Sequence, residues 1–301
     1  MLDATRLRGI FPAIPTPVHL DDTIHVQATQ ALIAYLLKQG VDGMVPLGGT
    51  GEYGALAHTE RVRMCQLTVE AVNGQVPVIA GVLDPGLHDA LRAGRAFAEV
   101  GADALMVLTP YYTTPTQEGI RDYFLRYADA APRPVLIYEI PYRTRVAIAP
   151  EILHELSRHE NIIGMKACNT DMYHFLQTVA GVDASFAVLS GEDTLLPTHL
   201  AGGARGGIVV TANLLPTAWR ELYALACAGR TQDSMALHRR LMPVMNLAFA
   251  ETNPGPMKSV MDLIGVVAPR VLAPLRAPAD AVQSALRATL IPLLKEFEGI
   301  A

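Results

Sequence analysis

The sequence predicts an α/β protein, a (β/α)8 (TIM) barrel with a C-terminal helical extension, and three observations carry that expectation. Short apolar runs rich in Val, Ile, Leu and Met occur eight times along the 301 residues. Stretches with apolar residues at three- and four-residue spacing separate them, as amphipathic helices would. The segment after the first run, Thr16-Pro17-Val18-His19, lacks the glycine-rich loop that an open dinucleotide-binding sheet needs at that point. Strand and helix alternating eight times with right-handed crossovers close most simply into a barrel.

The eight runs are Ile10–Ile14, Val41–Leu47, Val78–Val82, Ala104–Leu108, Val135–Ile140, Ile162–Ala167, Phe186–Leu189 and Gly207–Val210. The helical patterns between them include Val26–Gln39, Glu60–Val72, Leu87–Val100, Gln117–Ala130, Pro150–Arg158 and Asp171–Ala180. After the eighth run come further helical segments around Pro216–Ala228, Gln232–Ala250, Met257–Ile264 and Ala279–Phe297. Asn253-Pro254-Gly255-Pro256 breaks two of these apart. No low-complexity linker intervenes. Residues 1–230 are therefore expected to form the barrel and residues 231–301 an extension packed on it, within one structural unit.

Half of the residues are hydrophobic, enough for one large core. A net charge of -5, a pI near 6.0 and the lack of any basic stripe argue against a nucleic-acid partner. The three cysteines, Cys65, Cys168 and Cys227, are odd in number and far apart, which suggests neither a disulfide framework nor a zinc site and points to a reducing, cytoplasmic setting. Met1–Pro17 lacks the charge and apolar stretch of a leader, and no apolar run approaches the ~20 residues that span a bilayer, so no membrane role is expected. The histidines, among them His154, His159 and His238, are not spaced as metal ligands, and no metal is expected.

Barrel enzymes carry their chemistry on the C-terminal rim of the strands. The residues there are Gly48-Gly49-Thr50-Gly51-Glu52, Thr109-Pro110-Tyr111-Tyr112, Tyr138, Arg143, Lys166 and Gly191-Glu192-Asp193. Lys166 stands out, because it lies in the apolar run Ile162–Ala167 of a chain that has only three other lysines, Lys38, Lys258 and Lys295, all in segments that read as helices or helix ends. Desolvation favours a neutral amine able to attack a carbonyl. The other reading is a structural lysine paired with a buried carboxylate. The glycine-rich turn offers backbone N–H groups and the Thr50 hydroxyl to an anion, with a plain strand-to-helix connection as its alternative. Tyr138 offers a phenol that can relay protons, or fills core. Arg143 offers a bidentate grip on a carboxylate, or a surface ion pair. A pyridoxal-phosphate enzyme would also use a lysine, but no phosphate cup with a pyridinium partner is evident.

The combination of Gly49-Thr50-Gly51-Glu52, Thr109-Pro110-Tyr111-Tyr112, Tyr138-Glu139-Ile140-Pro141-Tyr142-Arg143-Thr144, Gly164-Met165-Lys166 and Val210-Thr211-Ala212-Asn213 resembles the dihydrodipicolinate synthase and N-acetylneuraminate lyase family. The motifs occur in order along essentially the whole chain. The resemblance implies a lyase that holds pyruvate or another 2-keto acid as a lysine Schiff base, without a dissociable cofactor, usually as a homotetramer built from dimers. It makes Lys166 the Schiff-base lysine and Tyr138 the proton-relaying phenol. Thr50, with Gly49, Gly191 and the Ile208 backbone, would form the 2-keto acid cradle, and Tyr112 would reach into a partner subunit's site. Arg143 falls where the synthase branch, which joins pyruvate to aspartate semialdehyde, holds its second substrate.

Several positions depart from that branch. Gly49 replaces a threonine that links two tyrosines, Glu139 replaces an asparagine, and Arg145 replaces a glycine and is expected to contact a longer acidic substrate. A 2-keto-3-deoxy sugar acid aldolase or dehydratase is therefore the alternative activity, and a non-catalytic 2-keto-acid sensor the alternative of another class. The positions that bind feedback lysine in some synthases also differ. Tyr53, Gly54 and Pro85 replace small or polar residues there, whereas His58 and Tyr111 match.

Overall fold

The computed structural model describes residues 2–267 and 270–300. Seven parallel strands, β1 (Gly9–Pro12), β2 (Ile79–Val82), β3 (Ala104–Leu108), β4 (Val135–Glu139), β5 (Ile162–Ala167), β6 (Ala187–Ser190) and β7 (Gly206–Val209), form one sheet in the spatial order β1-β7-β6-β5-β4-β3-β2. Every strand residue is buried. That is the condition of a parallel sheet covered on both faces, and it explains why the strands read as continuous apolar runs.

The second apolar run, Val41–Leu47, is not a strand among the described residues. It lies between the two edges of the sheet and touches both through isolated bridges, Ala13 with Val45 and Met44 with Val78. Backbone hydrogen bonds run from Val45 N to the Pro12 carbonyl and from Ile14 N to the Val45 carbonyl, both at 3.0 Å. On the other side Met44 N donates to Pro77 and Ile79 N to Met44. The physical reason is proline: Pro12 and Pro46 have no N–H to give, so neither ladder can run on. The expected eight-stranded barrel is thus a curled seven-stranded sheet whose gap this segment crosses.

The helices follow the predicted spacing closely. Leu87–Glu99 buries Ala90, Ala93, Gly94, Phe97 and Ala98, a single stripe at three- and four-residue intervals. Side-chain caps set several starts: Thr116 accepts from Gly119 N, and Asp171 from Tyr173 N and His174 N. Thr231–Ala248 packs on Pro216–Cys227 and on Asp280–Leu293. The predicted helix Met257–Ile264 is broken into a turn of α-helix, Gly255–Lys258, and a 3-10 turn, Met261–Ile264. Between them the Ser259 hydroxyl donates to the Pro256 carbonyl at 2.7 Å, a local bond that competes with helix continuation. No helix among the described residues is long and apolar enough to cross a membrane.

One irregularity governs what the barrel displays. β4 and β5 begin with Val135 opposite Ile162, but Leu136 then pairs with Gly164, leaving Ile163 without a partner. This one-residue shift puts Lys166 rather than Met165 opposite Tyr138. Side chains alternate between the two faces of a strand, so Tyr138 and Lys166 share a face as ladder neighbours while Glu139 and Ala167 share the other.

Candidate active site

Tyr138 and Lys166 face a cavity of about 400 Å³ at the strand ends, lined also by Gly49, Thr50, Arg143 and Gly191. Six residues singled out in the sequence, from five separate segments, are thereby brought together. Lys166 is only 5% exposed, and its Nζ lies 4.7 Å from the centre of the Tyr138 ring. Burial raises the Tyr138 phenol well above its ordinary pKa, with Arg143 pulling in the opposite direction. The phenol therefore keeps its proton and is available as a donor.

Two expected residues are not among those lining the cavity. Ile208 is fully buried in β7, and Val210, just beyond that strand, lines the cavity instead. Tyr112 is 93% exposed, with a left-handed backbone at φ 73°, an uncommon conformation for a side chain of its size. Arg145 does not line the cavity either; it is exposed and ends the short Pro141–Thr144 helix at φ 60°. Glu139 is fully buried behind the site, where its Oε1 accepts from Ile148 N at 3.0 Å.

The sequence reading missed what the extension adds. Met245, Asn246, Phe249 and Asn253 close one side of the cavity. Asn253 Nδ2 donates to Thr50 Oγ1 at 2.9 Å, and the Asn253 carbonyl accepts from Arg143 Nη2 at 3.5 Å. Asn253 was legible only as part of a helix break; a buried amide beside Pro254 gives no further signal in sequence. Just beyond it, Lys258 is more deeply buried than Lys166, at 1% exposure. Its Nζ donates to Glu52 Oε1 at 2.7 Å and to the Thr16 carbonyl at 2.8 Å. Glu52 Oε2 also accepts from Leu272 N. These bonds hold Glu52 in a left-handed conformation, φ 57°, at the end of the Gly48–Glu52 turn.

Gly191 is required by space. A Cβ there would lie 2.1 Å from Cys168 Sγ and 2.8 Å from Lys166 Cε. Gly49 is different, since a Cβ would meet Arg143 Nη1 at 3.6 Å, an ordinary contact. Tyr142, Cys168, Glu192, Asp193 and Thr194 add to the polar lining. Burial, then the neighbouring Asp193, push the Glu192 carboxyl up to about 7, against the pull of Lys166. Asp193 itself is fully engaged: Oδ1 accepts from Val210 N at 2.9 Å, and Oδ2 accepts from Thr211 N and Thr211 Oγ1, each at 2.7 Å. Among the described residues no three His, Cys, Asp or Glu side chains gather as metal ligands.

Outside the cavity, Tyr53, Asp84 and Arg61 form a closed cluster. The Tyr53 hydroxyl donates to Asp84, Arg61 pairs with Asp84 at 3.1 Å, and the guanidinium lies 3.8 Å over the Tyr53 ring.

Two substitutions test this geometry. Gly191→Ala must displace Lys166 or Cys168, and misplacement of about 1 Å in a site of this kind lowers kcat/KM by about 100-fold. Steady-state turnover measures it, and activity within a few-fold of the parent would contradict the clash. Lys258→Met leaves the Glu52 carboxylate buried without its partner, a loss of about 3–5 kcal/mol. Urea unfolding reads that loss, and an unchanged midpoint would show that the ion pair does not support the fold.

Comparison with known proteins agrees with this geometry. Residues 6–293 match the model of the dihydrodipicolinate synthetase family. A 4-hydroxy-tetrahydrodipicolinate synthase from Acidiphilium cryptum is 37% identical, over 95% of this chain and 98% of its own. The crystal structure of dihydrodipicolinate synthase from Thermotoga maritima superposes with a TM-score of 0.92 at 31% identity, covering 98% of this chain and 99% of that one. A dihydrodipicolinate synthase from Acinetobacter baumannii, described as complexed with pyruvate, gives 0.92 at 29% identity, covering 98% of this chain and all of the other. Because residues 6–293 match the family model and these relatives share sequence and fold with the chain over nearly their full length, the chain belongs to the dihydrodipicolinate synthetase family.

Proposed function

We propose that this family lyase condenses pyruvate with aspartate semialdehyde, the reaction of a 4-hydroxy-tetrahydrodipicolinate synthase, through a Schiff base on Lys166. The observation that carries the reading is the buried Lys166 amine beside the Tyr138 phenol in one cavity with Arg143. Full-length relatives of that name support it, as does a fold neighbour described with pyruvate bound.

The neutral amine of Lys166 attacks the ketone carbon of pyruvate. Tyr138 relays the proton that the attacking nitrogen gives up to the former ketone oxygen, which makes the neutral carbinolamine; a second proton, from the Tyr138 hydroxyl, lets that oxygen leave as water and leaves an iminium beside a phenolate. The resulting iminium draws electrons from the methyl group, whose proton passes to the Tyr138 phenolate, restoring the phenol as the enamine forms. The enamine carbon then bonds to the aldehyde carbon of the second substrate. Thr50, held by Asn253, receives the pyruvate carboxylate together with the backbone around Gly49 and Gly191. Arg143 grips the carboxylate of the aldehyde, for which its planar fork is suited.

In this reading residues 1–230 are the barrel and residues 231–301 its extension, one unit because Asn253 and Lys258 reach back into the rim. Tyr112, fully displayed on a left-handed turn, would reach the site of a partner subunit in a homotetramer. The 2-keto-3-deoxy sugar acid activities remain the competing reading and would show themselves in a panel of aldehydes.

Incubation with pyruvate and borohydride, followed by intact-mass analysis and peptide mapping, should give a reduced adduct on Lys166 and none in Lys166→Ala. An adduct elsewhere, or normal turnover by Lys166→Ala, would contradict the mechanism. Tyr53, Gly54 and Pro85 stand at positions that bind lysine in some synthases and that carry small or polar residues there, so turnover should be insensitive to free lysine. Inhibition at submillimolar lysine in an initial-rate assay would show that expectation to be wrong.

A further inference from the structure

Glu192 is the one carboxyl lining the cavity that the chain leaves free. It faces the same space as Lys166 and Arg143, whereas its neighbour Asp193 has both oxygens engaged by the Val210–Thr211 turn. Among the described residues no hydrogen bond reaches the Glu192 carboxyl, and no cation lies within ion-pair distance of it. Its backbone is fixed nonetheless, because Glu192 N donates to Ser190 Oγ and the Glu192 carbonyl accepts from the same hydroxyl, each at 3.3 Å. A held but unpaired acceptor in a part-buried site is costly unless a ligand pairs with it.

The charges in the cavity indicate which ligand. With both substrates in place, the positive groups are the Lys166 iminium and the Arg143 guanidinium. The negative groups are the pyruvate carboxylate, the carboxylate of the aldehyde held by Arg143, and Glu192. Negative charge is in excess by one, and counting Asp193 widens the excess. A neutral hydroxyl on the aldehyde would not correct this, but an ammonium would. An ammonium would also stabilise the ionised form of a carboxyl that burial otherwise raises to about 7.

We infer that Glu192 is a specificity-determining residue whose carboxylate takes the α-ammonium of an amino-acid aldehyde while Arg143 holds its carboxylate. The inference rests on the proposed condensation and goes beyond it by naming what selects the second substrate. Amine and carboxylate are then gripped from two sides of the cavity, which aims the aldehyde carbon at the enamine on Lys166. An aldehyde of the same length without the amine leaves Glu192 unpaired and is rejected.

The test is steady-state kinetics of the full chain with pyruvate and either aspartate semialdehyde or 4-oxobutanoate, its counterpart lacking the amine. The parent protein should prefer the amino aldehyde. Glu192→Gln, which keeps the shape and removes the charge, should raise KM for aspartate semialdehyde about tenfold or more, the effect of losing a charge-assisted hydrogen bond. Its kcat/KM for 4-oxobutanoate should hold or rise, so that the preference collapses. Glu192→Asp should recover part of that preference, which separates loss of charge from damage to the fold. A preference unchanged in Glu192→Gln, or an equal loss with both aldehydes, would overturn the assignment while leaving the condensation intact. Failure of the parent protein to use aspartate semialdehyde would overturn the condensation itself and the assignment with it.

Discussion

The ammonium of Lys258 lies 2.7 Å from Glu52 Oε1, with almost no solvent at either group. Two charges in such a place are stabilising only when their remaining valences are met, and here they are, by the Thr16 carbonyl and Leu272 N. The pair therefore ties four separate stretches together: the segment after β1, the glycine-rich turn, the Gly255–Lys258 turn and the chain near Leu272. Glu52 is held in a left-handed conformation by this arrangement, and Thr50 two residues earlier is held by Asn253 five residues before Lys258. Two parallel struts thus fix one wall of the cavity. Without them the turn would be free to relax toward ordinary backbone angles and the Thr50 hydroxyl would leave the rim.

The opposite wall depends on strand register. Tyr138 and Lys166 are neighbours because Ile163 drops out of the pairing between β4 and β5. Without that shift Met165 would lie opposite Tyr138 and the amine would point to the outer face, where Glu139 is. The wall is also tight, as the lack of room for a Cβ at Gly191 shows. The shape of the cavity follows from two local devices, a strained turn pinned by a buried ion pair and a one-residue register shift, set in an otherwise regular parallel sheet.

Some of this was legible in the sequence. The apolar runs gave seven strands because parallel strands buried on both faces cannot alternate, and the helices followed their periodicity to within a few residues. Lys166 was conspicuous because a charged residue inside such a run has to face a site or a partner. Lys258 is buried more deeply still but had no such context, lying after Pro254-Gly255-Pro256 in a segment that reads as an ordinary helix start. Its partner Glu52 is 206 residues away, and nothing local announces a contact of that range. Val41–Leu47 failed as a strand for a reason that was visible, since Pro46 lies within it and Pro12 opposite. Glu192 was placed on the rim from sequence, but whether it was free or engaged, as Asp193 is, depended on hydrogen bonds to Val210 and Thr211 on a different segment.

The account turns on a single covalent bond between Lys166 and the 2-keto acid. Crystals soaked in pyruvate would show it most directly. Continuous density from Lys166 Nζ to the ketone carbon, with the carboxylate against Thr50 and the Tyr138 hydroxyl beside the new bond, is the predicted result. Pyruvate bound without a covalent link in that cavity, or attached to another lysine, would contradict the account.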